Sequence, residues 1–300
     1  MVLLGGGNAI AVRQTVLELA PFSSAALRFL AAGLILLAVV LATGRRLPRG
    51  RSLLGGIAYG AVGFAGAFGL VYPGLREAPA GTAAVLIALT PLFTFGLAIA
   101  HRQERFQAQG LLGALIALAG VGVIFADQVS AQVPIGSLVL IVLGAACIAE
   151  SGIIVKWIPR SDPFATNAVA MLSGGLLLLG LSLATGEQQM LPTQPGTWLA
   201  LGYLVVGGSV ALFTLFVFAL QRWRASAVSY TTLLMPLVSV TVATVVTHER
   251  FSPSFLLGGV IMLAGVYVGA FLRIRPGRTS ASSLPECLPI DACQQAQQAA

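Results

Sequence analysis

Apolar residues run through this chain in long blocks, and the polar residues fall into short intervals between them. A helix needs about 20 apolar residues to cross the hydrocarbon core of a bilayer. On that measure the chain offers ten spans, at about 2–19, 22–43, 53–74, 79–100, 107–126, 135–157, 164–185, 197–220, 225–247 and 253–272. The intervals are short, so sequential spans are expected to pack antiparallel. Beyond 272 the pattern stops, and residues 273–300 form a polar tail, ending TSASSLPECLPIDACQQAQQAA, that is expected to be disordered.

The blocks also repeat. Glu104 to Val121 reads ERFQAQGLLGALIALAGV and Glu249 to Val266 reads ERFSPSFLLGGVIMLAGV, identical at 11 of 18 positions at an offset of 145. The same offset carries Pro91 onto Pro236, Leu92 onto Leu237 and Ala80 onto Ala225. Nearer the start of each half, Pro21-Phe22 resembles Pro163-Phe164 and Gly33 resembles Gly175, at an offset of 142. The chain therefore reads as two copies of one unit, residues 1–126 and 135–272.

Composition sets the class. Only 9% of the residues are charged against 57% hydrophobic, where a soluble domain carries about 25% charged. Most of the outer surface must then face lipid. The net charge of +7 does not point to nucleic acid, because the arginines sit in short blocks between apolar runs, as membrane topology requires. With the N-terminus in the cytoplasm, 13 of the 17 Lys and Arg residues fall on the inside: Arg45, Arg46, Arg49, Arg51, Arg102, Arg105, Lys156, Arg160, Arg222, Arg224, Arg273, Arg275 and Arg278. Arg13, Arg76 and Arg250 fall outside, and Arg28 lies within a span. That bias places both termini in the cytoplasm.

Five spans per repeat is an odd number, so the second copy crosses the membrane in the opposite sense. The expected fold is an all-α integral membrane protein of ten transmembrane helices in two inverted five-helix repeats, an architecture of transporters. No cleaved signal is evident, and the short first span leads to the expectation that native residues precede Met1. Glycines at 56, 60, 63, 66 and 69, with Gly113, Gly120, Gly258 and Gly265, read as packing seams that let helices approach closely and slide. Cys147, Cys287 and Cys293 show no metal or disulfide signature, and no cofactor is expected.

The E-R-F-x4-L-L-G-x2-I-x-L-A-G-V motif, in its two occurrences, resembles the EamA repeat of the drug/metabolite transporter superfamily. Pro21 to Leu36 (PFSSAALRFLAAGLIL) and Ala80 to Pro91 (AGTAAVLIALTP) resemble that family's second and fourth helices. Within the family the chain is similar to the YddG-type amino-acid exporters of bacteria. The resemblance covers residues 1 to 272. It implies a cavity lined mainly by helices 1, 3, 4, 6, 8 and 9, and export of amino acids or other small metabolites without ATP across the bacterial inner membrane. The first helix departs from the family in having Leu4-Gly5-Gly6-Gly7-Asn8 in place of a Trp-Gly opening.

Ionisable groups within spans are costly and mark function by default. Glu150, two turns from the inner end of the sixth span, is a candidate proton carrier or partner for a substrate amine; the bland alternative is an interfacial side chain paired locally with Lys156. Arg28 is read chiefly as structural, with a substrate carboxylate as the minor alternative. Pro91 and Pro236 interrupt the fourth and ninth spans at matching positions and are expected to shape kinks or gates. The candidate substrate-binding set is Asn8, Tyr72, Thr90, Glu150, Ser151, Tyr230 and Thr231, from a wider polar group that includes Tyr59, Thr82, Thr94, Tyr203, Ser209 and Ser239. Each hydroxyl has a competing role on its own backbone. Trp157, Trp198 and Trp223 read as interface anchors, and His101 and His248 as inert loop residues with a minor pH role as the alternative.

The expectation is thus a monomeric secondary transporter that meets a small-molecule substrate and the lipid bilayer and binds no nucleic acid. Exchange of nucleotide-sugars or of other metabolites and drugs is the rival within the class, and a channel the rival outside it. No G-x-x-x-x-G-K-[ST], H-E-x-x-H or G-x-S-x-G motif supports an ATPase or an enzyme.

Overall fold

The computed structural model describes residues 1–78, 80–126, 133–159, 161–247 and 253–270. Among the described residues the regular structure is helical, with no strand. The helical stretches join into ten rods: α1 (Val2–Val16), α2 (Pro21–Ala42), α3 (Arg51–Glu77), α4 (Ala80–Ile87 followed by Thr90–Ala100), α5 (Ala108–Ile124), α6 (Ile135–Trp157), α7 (Pro163–Ala184), α8 (Pro195–Arg222), α9 (Ala225–Thr247) and α10 (Pro253–Ala270). By length and composition six are able to cross a membrane: α2, α3, α4 from Thr82, α6, α7 and α8. Shorter apolar helices lie in α5, α9 and α10. Leu54 and Leu199 stand on the outside, 68% and 79% exposed, where a soluble protein would place polar groups.

Local chemistry explains several boundaries. Pro21, Pro163 and Pro195 open α2, α7 and α8, where the missing N–H has no intrahelical partner to lose. Asp162 caps α7, accepting from the N–H groups of Phe164 at 2.9 Å and Ala165 at 3.2 Å. The rod α4 breaks just before Pro91, which cannot donate to the Ile87 carbonyl four residues back. The Thr90 hydroxyl donates to that carbonyl instead, at 2.6 Å. Pro236 lies within an uninterrupted α9.

Two rods contain π-helical turns, Gly60–Gly66 in α3 and Val206–Ala211 in α8. Moved back by the 145-residue offset, the second falls on 61–66. π turns are rare and cluster at functional sites.

The two closest helix pairings are α5 against α10 and α2 against α7, and both exchange partners reciprocally. A Cβ on Gly33 would lie 2.9 Å from Leu172 Cγ, and one on Gly175 2.9 Å from Leu30 Cγ. A Cβ on Gly113 would meet the Gly265 carbonyl oxygen at 2.7 Å, and one on Gly265 the Gly113 oxygen at 2.7 Å. Only a residue without a Cβ permits backbones this near. Reciprocal exchange is what a two-fold relation between equivalent segments produces.

The interior of α2, α3 and α8 is aromatic. Phe29 packs edge-on against Phe64 and Phe68, each at 4.8 Å between ring centroids, and Phe213 packs on Phe64 at 4.8 Å. Such pairs add about 0.5–1.5 kcal/mol each beyond the area they bury.

Candidate functional site

Arg28 lies one helical turn into the buried face of α2 beyond Ser24, and it is 1% exposed. Its Nε donates to Ser209 Oγ at 2.8 Å and its Nη2 to the Gly208 carbonyl at 2.8 Å. Its Nη1 donates to Tyr72 Oη at 3.4 Å. Both α8 partners sit inside the π turn of that rod. The guanidinium rests on the aromatic interior, its Cζ 5.0 Å from the Phe29 centroid and 5.5 Å from that of Phe68.

Asn8 of α1 completes the cluster. Its Nδ2 donates to the same Gly208 carbonyl at 3.4 Å, and its Oδ1 is buried without a hydrogen-bond partner among the described residues. A Cβ at position 208 would strike Asn8 Oδ1 and lie 3.1 Å from Arg28 Nη2, so a larger residue there would displace the Asn8 side chain. Four rods, α1, α2, α3 and α8, thus converge on one cationic group.

The charge is not neutralised locally. Arg45 pairs with Asp162 at 2.5 Å and His101 Nε2 lies 3.5 Å from Glu150 Oε1, and no acidic side chain pairs with Arg28 among the described residues. A guanidinium carries five N–H donors, of which three are used here. Leaving such a charge uncompensated away from water costs several kcal/mol, so the arrangement holds an unspent capacity to bind an anion.

A second polar group lies at one end of the bundle. Glu150 Oε1 of α6 faces His101 Nε2 at 3.5 Å, and Glu150 Oε2 is buried without a partner among the described residues. His101 ends α4, its Nδ1 3.0 Å from the Leu97 carbonyl and its ring edge-on to Trp157 at 5.2 Å. Gln103 Nε2 donates to the Ile153 carbonyl of α6 at 3.0 Å. Glu104 accepts from both the backbone N–H (3.1 Å) and the hydroxyl of Ser226, at the start of α9. The segment from His101 to Glu104 therefore straps α4 to α6 and α9.

The remaining sequence candidates are spent on helix structure. Thr90 serves the break in α4. The Ser151 hydroxyl donates to the Ile148 carbonyl at 2.7 Å and that of Thr231 to the Val228 carbonyl at 2.7 Å. Tyr230 Oη donates to the Gly110 carbonyl at 2.7 Å and so ties α9 to α5. Of the candidate set, the structure brings Asn8 and Tyr72 together and leaves Glu150 in a separate cluster. Pro91 stands at the α4 break and Pro236 inside α9. His248, Glu249 and Arg250 lie outside the described residues.

The sequence marks Arg28 and Ser209 separately but not their junction. Arg28 was visible as a charge in an apolar block, but its partners Gly208 and Ser209 lie 180 and 181 residues away, a distance no local pattern spans. Sequence reasoning also passed over His101 as the partner of Glu150. Two clefts open at helix ends, one of about 170 Å³ beside Ser161, Thr166 and Gln221, the other of about 490 Å³ beside Glu18, Arg76 and Glu187. Neither contains Arg28, and the buried cluster carries more convergent chemistry than either.

Comparison with known proteins bears on the whole chain. The profile of the EamA-like transporter family matches residues 1–126 and 135–270. The chain is similar to the uncharacterized inner membrane transporter YedA of Escherichia coli K12, 29% identical over 89% of this chain and 88% of that protein. It is also similar to a probable amino-acid metabolite efflux pump of Salmonella typhimurium, 25% identical over 92% of this chain and 94% of the other. A protein known from a crystal structure superposes with a TM-score of 0.78 at 21% identity, over 91% of this chain and 95% of that one, which shows a common fold.

Proposed function

Because the chain belongs to the EamA-like transporter family, we propose that it is a secondary transporter that exports small metabolites, amino acids foremost, by alternating access without ATP. The ten rods are ten membrane spans in two inverted five-helix repeats, 1–126 and 135–272, with both termini in the cytoplasm. The observation that carries this reading is the reciprocal packing of Gly33 and Gly175, and of Gly113 and Gly265, across the two halves. A pseudo-two-fold between inverted halves gives two similar gates around a shared midplane site, which is what alternation requires. The name of the Salmonella relative favours an amino-acid substrate, and that of YedA favours the bacterial inner membrane.

In this reading α4 and α9, with Pro91 and Pro236, rock against the other spans. The strap from His101 to Glu104 belongs to the cytoplasmic gate, and Glu150 beside it is the candidate proton-coupling group. Asn8 and Tyr72 line the substrate site; the hydroxyls of Thr90, Ser151, Tyr230 and Thr231 reach substrate only if gating frees them from their present backbone partners.

The test is transport by the purified chain in liposomes. Labelled amino acids should enter saturably, and faster when unlabelled substrate is trapped inside. Linear uptake with no counterflow would replace the carrier with a channel.

A further inference from the structure

We propose that Arg28 is the anchor for the carboxylate of the transported molecule, with Asn8 Oδ1 receiving a neighbouring donor such as its amine. The proposal deepens the transport reading, on which it rests, and commits it to small carboxylates, zwitterions first.

Three observations converge. The guanidinium is 1% exposed and, among the described residues, bonds to neutral groups, Ser209 Oγ, the Gly208 carbonyl and Tyr72 Oη. Two of its five N–H donors are left over, enough for the paired hydrogen bonds by which arginine holds a carboxylate. Beside it stands Asn8 Oδ1, a buried acceptor with no hydrogen-bond partner among the described residues. Donors on a cation and an idle acceptor, side by side, are complementary to a carboxylate carrying an adjacent N–H group.

The repeat argues against a purely architectural role. Scaffold features recur in both halves, as the seam glycines and the π turns do. The position 142 residues beyond Arg28 is Ala170, which is fully buried and apolar. The second half builds the equivalent helix without the charge, so packing and gating common to both halves do not need it. What one half alone carries suits an asymmetric ligand.

The π turn explains how the cluster is presented. Gly208 lies inside it and offers its carbonyl sideways to both Arg28 and Asn8. The same carbonyl is available to an amine once either side chain turns to the ligand. Arg28 is thereby held with its plane fixed, and pre-orientation of this kind limits the entropy lost on binding.

The experiment compares acids with their amides. Thermal unfolding of the purified full chain in detergent is followed with L-leucine, L-methionine and L-threonine, each beside its carboxamide, and with 4-methyl-2-oxopentanoate as an acid lacking the amine. At least one amino acid should raise the unfolding temperature while its amide does not, and the oxo acid should act more weakly than leucine if leucine is among the ligands. Arg28→Lys should weaken that acid's apparent affinity about tenfold or more, because an ammonium does not reproduce the fork. Ser209→Ala, which frees Nε and leaves the charge, should weaken the acid and preserve the fold if the lysine variant does not accumulate.

Amides that stabilise as well as acids would overturn the proposal, as would no effect from any acid or an unchanged affinity in a folded Arg28→Lys. The flux assay separates the two readings. Transport of acid and amide alike removes the carboxylate anchor and keeps the transporter. Arg28-dependent binding without flux keeps the anchor and removes transport.

Discussion

At the scale of single residues, the competition is between ligand and backbone for each polar group. Tyr230 is committed to the Gly110 carbonyl. Tyr230→Phe should cost about 0.5–1.5 kcal/mol, the net worth of one part-buried hydrogen bond, and leave substrate preference alone; a shifted preference in counterflow would return Tyr230 to the site. Glu150 is different: among the described residues its Oε2 has no hydrogen-bond partner, and its Oε1 lies 3.5 Å from His101 Nε2. Glu150→Gln should abolish the response of uptake to an imposed pH gradient while sparing exchange at equal pH. Normal coupling in that variant would end the proton-carrier role.

Glu18 shows a titration whose sign is fixed by its partners. It lies between α1 and α2, and the Thr193 hydroxyl (2.6 Å) and N–H, with the Gln194 N–H (3.3 Å), donate to its carboxylate. Those bonds hold the carboxyl at about 2, below its ordinary 4.5. A carboxyl depressed by folding stabilises the fold fully above its unfolded value and loses that contribution as pH falls through the folded one. The tie between this loop and the segment ahead of α8 is therefore constant down to about pH 4.5 and lost between there and about pH 2. Glu18→Gln should lower the unfolding temperature at pH 7, by an amount that shrinks as pH falls from about 4.5 towards 2.

At the scale of helices, the deciding quantity is the distance between backbones. A Cβ on Gly120 would meet the Gly258 carbonyl oxygen at 2.7 Å, and that neighbour cannot rotate away. Gly120→Leu should destabilise by about 1–3 kcal/mol or more through overpacking of the α5–α10 seam. Gly96 in α4 has nothing within 4 Å of a Cβ, so Gly96→Ala should be neutral or stabilise by about 0.5–1 kcal/mol. Equal effects of the two in chemical or thermal unfolding would show that propensity, rather than the seam, governs these glycines. The α4 break follows the same reasoning. Proline removes a donor, a threonine replaces it, and the helix bends where both are present.

At the scale of the molecule, the arginine distribution and the reciprocal seams make one joint prediction. Single cysteines placed near Arg46 and near Gln188, in a chain without its native cysteines, should react with a membrane-impermeant reagent from opposite sides. Labelling of Arg46 from the inside and Gln188 from the outside is expected from the positive-inside bias. Labelling of both from one face would overturn the inverted topology and with it the pairing of gates. The ties at each end fit such a division, with Arg45–Asp162 and Glu104–Ser226 at one face and Glu18–Thr193 and Glu187–Ser23 at the other.

Sequence alone determined the family, the helical class and the positions of the apolar rods, because hydrophobic blocks, basic intervals and an internal repeat are local or periodic properties of the chain. It also marked the residues whose burial in an apolar block is costly, Arg28, Glu150 and Asn8 among them. Tertiary structure alone decided what each of those groups meets. Arg28 meets a π turn far along the chain, Glu150 a histidine on another rod, and Tyr230 a backbone carbonyl at the start of α5. The physical reason is that solvation by lipid is read one residue at a time, whereas neutralising a buried charge or filling a hydrogen bond depends on which distant segments packing brings within about 3 Å.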